Sequence, residues 1–201
     1  MHPEKRKFIE EIKNNHPNKP LVFVHTPKCG GTYVRQILKD LNILNKGHSV
    51  ANPEDNAIHF TVIREPVSRF ESLLNYRLSA EKLRNDWPKH LHHVHKDNTP
   101  LNKIVKQMSD TDIISFKPFK TLHFWTQNID ICIQINEIKE LLEIFGYDYD
   151  ETKYAPANVS VKKRGKLNKK NKERIQKLFK KDMKIFNKWT VYKEEEITYV
   201  I

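Results

Sequence analysis

Two stretches of this chain repeat one pattern: a short apolar run, a break that contains proline, then apolar residues at helical spacing. The first begins at Leu21-Val22-Phe23-Val24-His25, breaks at Pro27 and two adjacent glycines, and continues over 32–42, where Val34, Ile37, Leu38 and Leu41 share one helical face. The second begins over 58–63, breaks at Pro66, and continues through Val67, Phe70, Leu73, Leu74 and Leu78. Proline is tolerated in a helix's first turn, where its missing N–H has no partner to lose. Parallel strands need a crossover, usually a helix, so successive strand–loop–helix units restrict the chain to an α/β fold with a mainly parallel sheet.

The remaining elements fit that frame. Weak periodicity over 4–14 predicts a helix ending before Pro17 and Pro20. A helix is expected at 100–108, a third buried strand at 129–135, and a helix at 136–145 closed by Gly146. A single last helix carries Ile175, Leu178, Phe179 and Phe186 as its apolar stripe. Segments 43–57 and 86–99 read as loops, the second rich in histidine. With no repeat and no linker, 201 residues are expected to form one domain, 1–201.

Several classes of protein are set aside by what is missing. The longest apolar runs are too short to span a bilayer, and Met1-His2-Pro3-Glu4-Lys5-Arg6 does not lead into the apolar core of a secretory signal. A cytoplasmic protein without a membrane anchor is expected. Cys29 and Cys132 have neither zinc spacing nor partners for a disulfide framework, which fits a reducing compartment and no metal. The run His90-Leu91-His92-His93-Val94-His95 places 90/93 and 92/95 on shared helical faces, as a metal site would. No cysteine or carboxylate cluster joins it, and a polar lid over an acceptor site is the better account.

Charge is concentrated in one segment. The formal net charge is +11, and residues 162–184 hold twelve Lys/Arg against Glu173 and Asp182, a local +10. Such a patch attracts phosphate or sulfate groups, nucleic acid or another acidic polymer, unless it is only a solvated helix face.

The chemistry is concentrated in His25-Thr26-Pro27-Lys28-Cys29-Gly30-Gly31-Thr32-Tyr33, which holds two of the five glycines. Glycine lets a backbone turn sharply and approach a ligand, and the helix that follows directs its N–H groups and positive dipole end at the same point. With the charge of Lys28 and the hydroxyl of Thr32, this is a cradle for a phosphate-like anion, or else a tight turn with an incidental lysine. It is not the G-x-x-x-x-G-K-[ST] loop of common nucleotide-binding proteins, because the lysine precedes the glycines. In the second unit Arg64 ends a strand, where open α/β sheets bind ligands. Ser72 follows eight residues later, about two helical turns or ~12 Å of rise. A loop that folded Arg64 back would let one phosphate meet both the guanidinium and the hydroxyl.

Together the two segments resemble the PAPS-dependent sulfotransferases, especially their carbohydrate branch. Residues 25–32 look like that family's 5′-phosphosulfate loop, and Ile63-Arg64-Glu65-Pro66-Val67-Ser68-Arg69-Phe70 with Ser72 looks like its 3′-phosphate motif. Asn136-Glu137, Asn158-Val159-Ser160 and Lys162-Lys163-Arg164-Gly165-Lys166 fit in order, so the resemblance covers about residues 20–190. It implies a P-loop-like three-layer fold, a short, mainly parallel central sheet flanked by helices. It also implies an enzyme that moves the sulfuryl group of 3′-phosphoadenosine 5′-phosphosulfate (PAPS) to a small-molecule or carbohydrate hydroxyl and releases PAP, without a metal. Lys28, Cys29, Gly30, Gly31, Thr32 and Tyr33 would cup the 5′-phosphosulfate; Arg64 and Ser72 would hold the 3′-phosphate, and Lys163, Arg164 and Gly165 would close over it.

Lys28 would also be catalytic, neutralising charge on the departing oxygen. His48, in Lys46-Gly47-His48-Ser49, lies in the interval where some uronyl-type relatives carry their catalytic histidine, although its spacing to the arginine is shorter here. It is the expected general base. His59, inside a strand, reads as a satisfied core histidine, and His25 as one that bonds backbone. The expected absence of an anchor would depart from the Golgi-resident relatives. Two rival readings remain: a basic nucleic-acid-binding domain, against which the basic run's lack of interleaved aromatics argues, and a nucleotide kinase, against which the lysine order argues.

Overall fold

The short apolar runs become strands of a single parallel sheet. The computed structural model describes residues 1–79, 87–95, 99–115, 120–148, 150–154 and 164–190. Strands β1 (Leu21–Phe23), β2 (Leu44–Asn45), β3 (Ile58–Val62) and β4 (Ile131–Ile133) lie in the order β2-β1-β3-β4, every pair parallel. Val22 pairs with Leu44 and with His59, and Phe60 with both Phe23 and Ile131. Strands β1, β3 and β4 are buried along their full length, as continuous apolar runs in parallel sheets are.

The chain divides into two compact units. The first comprises Met1–Arg64, Leu122–Ala157 and Lys184–Ile201 and holds the sheet. Helix α1 (Pro3–Asn15) is followed by β1, and α2 (Gly31–Asp40) leads from β1 to β2. Because side chains alternate across a strand, Leu21, Phe23, Ile58, Phe60, Val62, Ile131 and Ile133 enter one core with Ile9 of α1 and Val34, Ile37 and Leu38 of α2. Cys132 turns the other way and packs with Ile63 and Leu122. In the first turn of α1, Lys5 is buried and ion-paired with Glu137 at 2.5 Å; burial pushes its ammonium below the usual lysine range, against the pull of that carboxylate.

The second unit comprises Glu65–Thr121 and Asn158–Met183, and its elements among the described residues are helices. It contains α3 (Pro66–Leu78), α4 (Leu101–Gln107), α5 (Asp110–Ser115) and, after α6 (Leu122–Trp125) and α7 (Ile138–Ile144) of the first unit, α8 (Lys169–Leu178). Helix α9 (Lys180–Thr190) begins in this unit and ends in the first. Phe70, Leu74, Leu101, Ile104, Ile175 and Phe179 form its core.

Three expectations change. Segment 43–57 is not all loop, since Leu44–Asn45 pairs with β1. The single last helix is two, α8 and α9, because Phe179 leaves helical geometry at φ −101°, ψ 35°. The histidine-rich segment carries a 3₁₀ turn, Lys89–His95. Among the described residues no helix is long and apolar enough to cross a membrane, and no group of three His, Cys, Asp or Glu could hold a metal ion. His92 meets the Trp87 carbonyl at 3.0 Å, and His90 pairs with Asp112 at 3.7 Å.

Candidate functional site

From β1 the chain crosses to β2 on one side, and the next strand, β3, pairs on β1's other side. In open α/β sheets such a reversal opens a crevice beyond the carboxyl ends of the two strands, where ligands bind. The segments that leave these two ends are the Lys28 loop after β1 and Arg64 after β3. Neighbouring strands lie roughly 4.8 Å apart, so both candidate anion-binding segments start from adjacent points in the first unit. Thr26 and Thr61 tie them together, their buried hydroxyls 2.8 Å apart.

The loop turns through left-handed backbone at Lys28 (φ 66°) and Gly30 (φ 89°), then enters α2 at Gly31. Its N-cap, Gly30, has no side chain with which to cap the helix. Helix α3 is the opposite case: Glu65 accepts hydrogen bonds from the N–H groups of Val67 (3.0 Å) and Ser68 (2.7 Å), closing its own N-terminus with a carboxylate. Helix α2 starts on a glycine, and backbone N–H groups at such a helix start are of the kind that meet an anion. Arg64 is exposed, and among the described residues its guanidinium makes no ion pair. Cys29 is buried, with its thiol 3.6 Å from the Pro27 carbonyl, which makes its contribution one of packing and backbone.

The loop's glycines answer first to the chain itself. A Cβ on Gly30 would meet Ile135 at 3.0 Å, and one on Gly31 would collide with the His25 ring. Among the described residues that ring has none of the backbone bonds expected of it: its buried Nδ1 has no hydrogen-bond partner, while its plane stacks on His48 with centroids 4.0 Å apart. Burial, followed by the charges of His48, Arg35 and Lys28, lowers the His25 pKa to about 3. The ring beside Lys28 is neutral at any ordinary pH.

His48 reaches this place through β2, whose pairing with β1 positions the segment that follows it. Beyond Asn45, Lys46 N–H donates to the Phe23 carbonyl and His25 N–H donates to the Gly47 carbonyl, so the segment continues to track β1. Lys46 is ion-paired with Asp55, which also meets His59 Nε2 at 3.1 Å. These two partners, Lys46 foremost, hold the Asp55 carboxyl below the usual range. His59 is thus the satisfied core histidine expected. His48 Nδ1 lies 3.0 Å from the His25 carbonyl oxygen. A carbonyl only accepts, so Nδ1 carries the proton and Nε2 of the neutral ring keeps its lone pair. Trp125 flanks the same imidazole at 6.1 Å.

The other predicted contacts belong to the second unit. Ser72 is half-buried on α3. The 164–168 segment is bound to α3 and α4: Arg164 N–H donates to Asn75, Leu167 N–H to Glu71, and Leu101 N–H to the Arg164 carbonyl. Glu71 and Asn75 bracket Ser72 on α3, so Ser72, Arg164 and Gly165 are gathered within this unit. One nitrogen of the Arg164 guanidinium donates to the Val94 carbonyl, which gives that arginine a structural task too. Lys163 and Asn158-Val159-Ser160 lie outside the described residues. Glu137 serves structure, pairing with Lys5 and accepting from Gln134 N–H at 2.7 Å.

Comparison of the chain with protein-family models, with curated proteins and with solved structures returned no match.

Proposed function

We propose that the chain is a PAPS-dependent sulfotransferase of P-loop-like α/β fold, transferring a sulfuryl group to a hydroxyl, with a carbohydrate as the favoured acceptor. The observation that carries this reading is the exit of the lysine–glycine loop and of Arg64 from hydrogen-bonded neighbours at the reversal of strand order. The glycine start of α2, which brings no side chain of its own to the helix end, supports assigning the 5′-phosphosulfate to the loop. The sequence pattern assigns the 3′-phosphate to Arg64 and Ser72, with Lys163, Arg164 and Gly165 closing over it. A reducing, cytoplasmic location belongs to the same reading, with Cys29 and Cys132 both free and buried.

In the reaction, the acceptor oxygen bonds to sulfur as the bond from sulfur to the bridging oxygen breaks, and PAP departs with that electron pair. Lys28 neutralises the charge gathering on the departing oxygen, a contribution made mostly in the transition state. His48 takes the acceptor's proton on Nε2, the nitrogen left free by the bond from Nδ1 to the His25 carbonyl. Positioning and electrostatics dominate, as they do in phosphoryl transfer.

Calorimetric titration with PAP tests the reading directly. Micromolar binding and a raised melting temperature are expected. No binding at millimolar PAP, alongside tight binding of ATP with magnesium, would favour a nucleotide kinase instead.

A further inference from the structure

The turn that carries His48 hangs between two strands of the sheet. At its near end the backbones of Lys46 and Gly47 are bonded to β1. Gly47 then takes the chain out of the ladder through left-handed backbone (φ 65°), with its N–H donating to Asn45 Oδ1 at 2.9 Å. At its far end the chain enters β3 at Ile58. Two bonds brace what lies between: Ser49 Oγ donates to the Lys46 carbonyl at 3.1 Å, and Asn128 Nδ2 to the Ala51 carbonyl, also at 3.1 Å.

One carboxylate joins the two ends. Asp55 Oδ2 is ion-paired with Lys46, nine positions earlier in the chain, and lies 3.1 Å from His59 Nε2. The His59 ring is a fixed anchor. Its side chain is 3% exposed, its N–H donates to Asp130 Oδ2 at 2.7 Å, and its Nδ1 lies 3.8 Å from that same oxygen. His59 also stands in β3 opposite Val22 of β1. Through Asp55, the root of the His48 turn is therefore tied to the interior of the sheet. The Lys46 and Asp55 side chains are 28% and 26% exposed, and ion pairs that open to water add little to stability. What this one supplies is geometry: a single oxygen takes an ammonium from one side and an imidazole from the other. Without it, the orientation of His48 rests on one hydrogen bond and one ring contact with His25.

We propose that Asp55 is a positioning residue: by joining Lys46 to the anchored His59 ring, it holds the turn so that His48 Nδ1 meets the His25 carbonyl and the neutral ring keeps its lone pair on Nε2. That this lone pair serves proton removal from an acceptor rests on the sulfotransferase reading; the positioning does not.

The test is nitrogen NMR of the full chain, labelled at its histidine rings, at about pH 8, above the usual histidine pKa of about 6.5. The His48 signals are assigned by their loss in His48→Gln. The tie is cut from either side, in Asp55→Asn and in Lys46→Met. A control, Asp130→Asn, alters the other carboxylate beside His59 while keeping an oxygen for its N–H. Circular dichroism checks each fold. In wild type and the control, Nε2 of His48 should resonate as a bare nitrogen and Nδ1 as a protonated one. In Asp55→Asn and Lys46→Met both signals should shift toward the average of two exchanging tautomers, because the bond that selects one of them is loosened. Unchanged His48 signals in either folded variant would overturn the proposal, as would an equal shift in the control. A merely structural Asp55 would lower the melting temperature and leave these signals in place. Calorimetry with PAP on the same proteins separates the two readings. PAP binding with unmoved signals removes the positioning role alone, whereas shifted signals in a chain that binds no PAP remove the sulfotransferase and leave the positioning role standing.

Discussion

A Cβ on Gly31 would sit 1.8 Å from Nε2 of His25, so the imidazole fills the space that any side chain at position 31 would need. The glycine is held by packing rather than by backbone strain, since the left-handed turn lies one residue earlier, at Gly30 (φ 89°). Gly31→Ala is therefore expected to destabilise the fold by about 2–3 kcal/mol, the upper range for overpacking. In a His25→Ala background the same substitution should cost much less, giving a coupling of at least ~1 kcal/mol in a double-mutant cycle read by urea denaturation. Additive effects would mean that the two residues do not share the space.

His48 is expected to act through Nε2. His48→Ala should lower kcat by about 10²–10⁴-fold with PAP affinity nearly unchanged. His48→Asn keeps a donor near the His25 carbonyl without supplying a base, and it should be as inactive as alanine. A variant retaining more than a tenth of the activity would move the base elsewhere.

Lys28 and Arg64 should divide their effects. Lys28→Ala is expected to cost at least about 100-fold in kcat while PAP affinity stays within about tenfold, because its charge is used mainly as the bond breaks. Arg64→Ala should instead weaken PAP by about 2–3 kcal/mol through lost charge-assisted bonds. Parallel losses of binding and rate in both variants would show the assignment to be wrong.

Acid should act on the fold through His25. Its folded-state pKa of about 3 lies well below the ordinary value of 6.5, chiefly because burial penalises the charged ring. As pH falls below about 6.5 the unfolded chain binds a proton that the native state refuses, so stability declines until about pH 3. One proton contributes at most about 1.4 kcal/mol per pH unit. Melting curves of wild type and His25→Gln should therefore converge as pH is lowered from 7 to 4. A constant gap across that range would exclude His25 as the source.

Where a residue's neighbours in sequence are also its neighbours in space, the fold was readable. Leu21–Val24, the helical stripe from Val34 to Leu41, and Pro66 opening α3 all declare themselves locally, and they appear within one or two residues of expectation. Strand β2 did not, because Leu44–Asn45 is two residues long in a polar stretch and exists only through its pairing with β1. The break at Phe179 was hidden because Ile175 and Phe179 keep one apolar stripe running across it. In the candidate site, Lys28, Gly30, Gly31 and Arg64 were legible as a motif. The role of His25 was not, since its contacts with Gly31 and His48 join residues that only the folded backbone brings together.

Strand β4 adds to β3 with Phe60 opposite Ile131, after the whole of 65–121 has left the first unit and the chain has come back at Leu122. On the ribosome, β1, β2 and β3 emerge while the outer edge of β3 has no partner, and it stays bare until more than sixty further residues have been made. Closing so long a loop carries an entropic cost that grows with the logarithm of its length, and such distant pairings slow folding. Completion of the sheet therefore waits on the synthesis of a stretch that, among the described residues, supplies no strand to it.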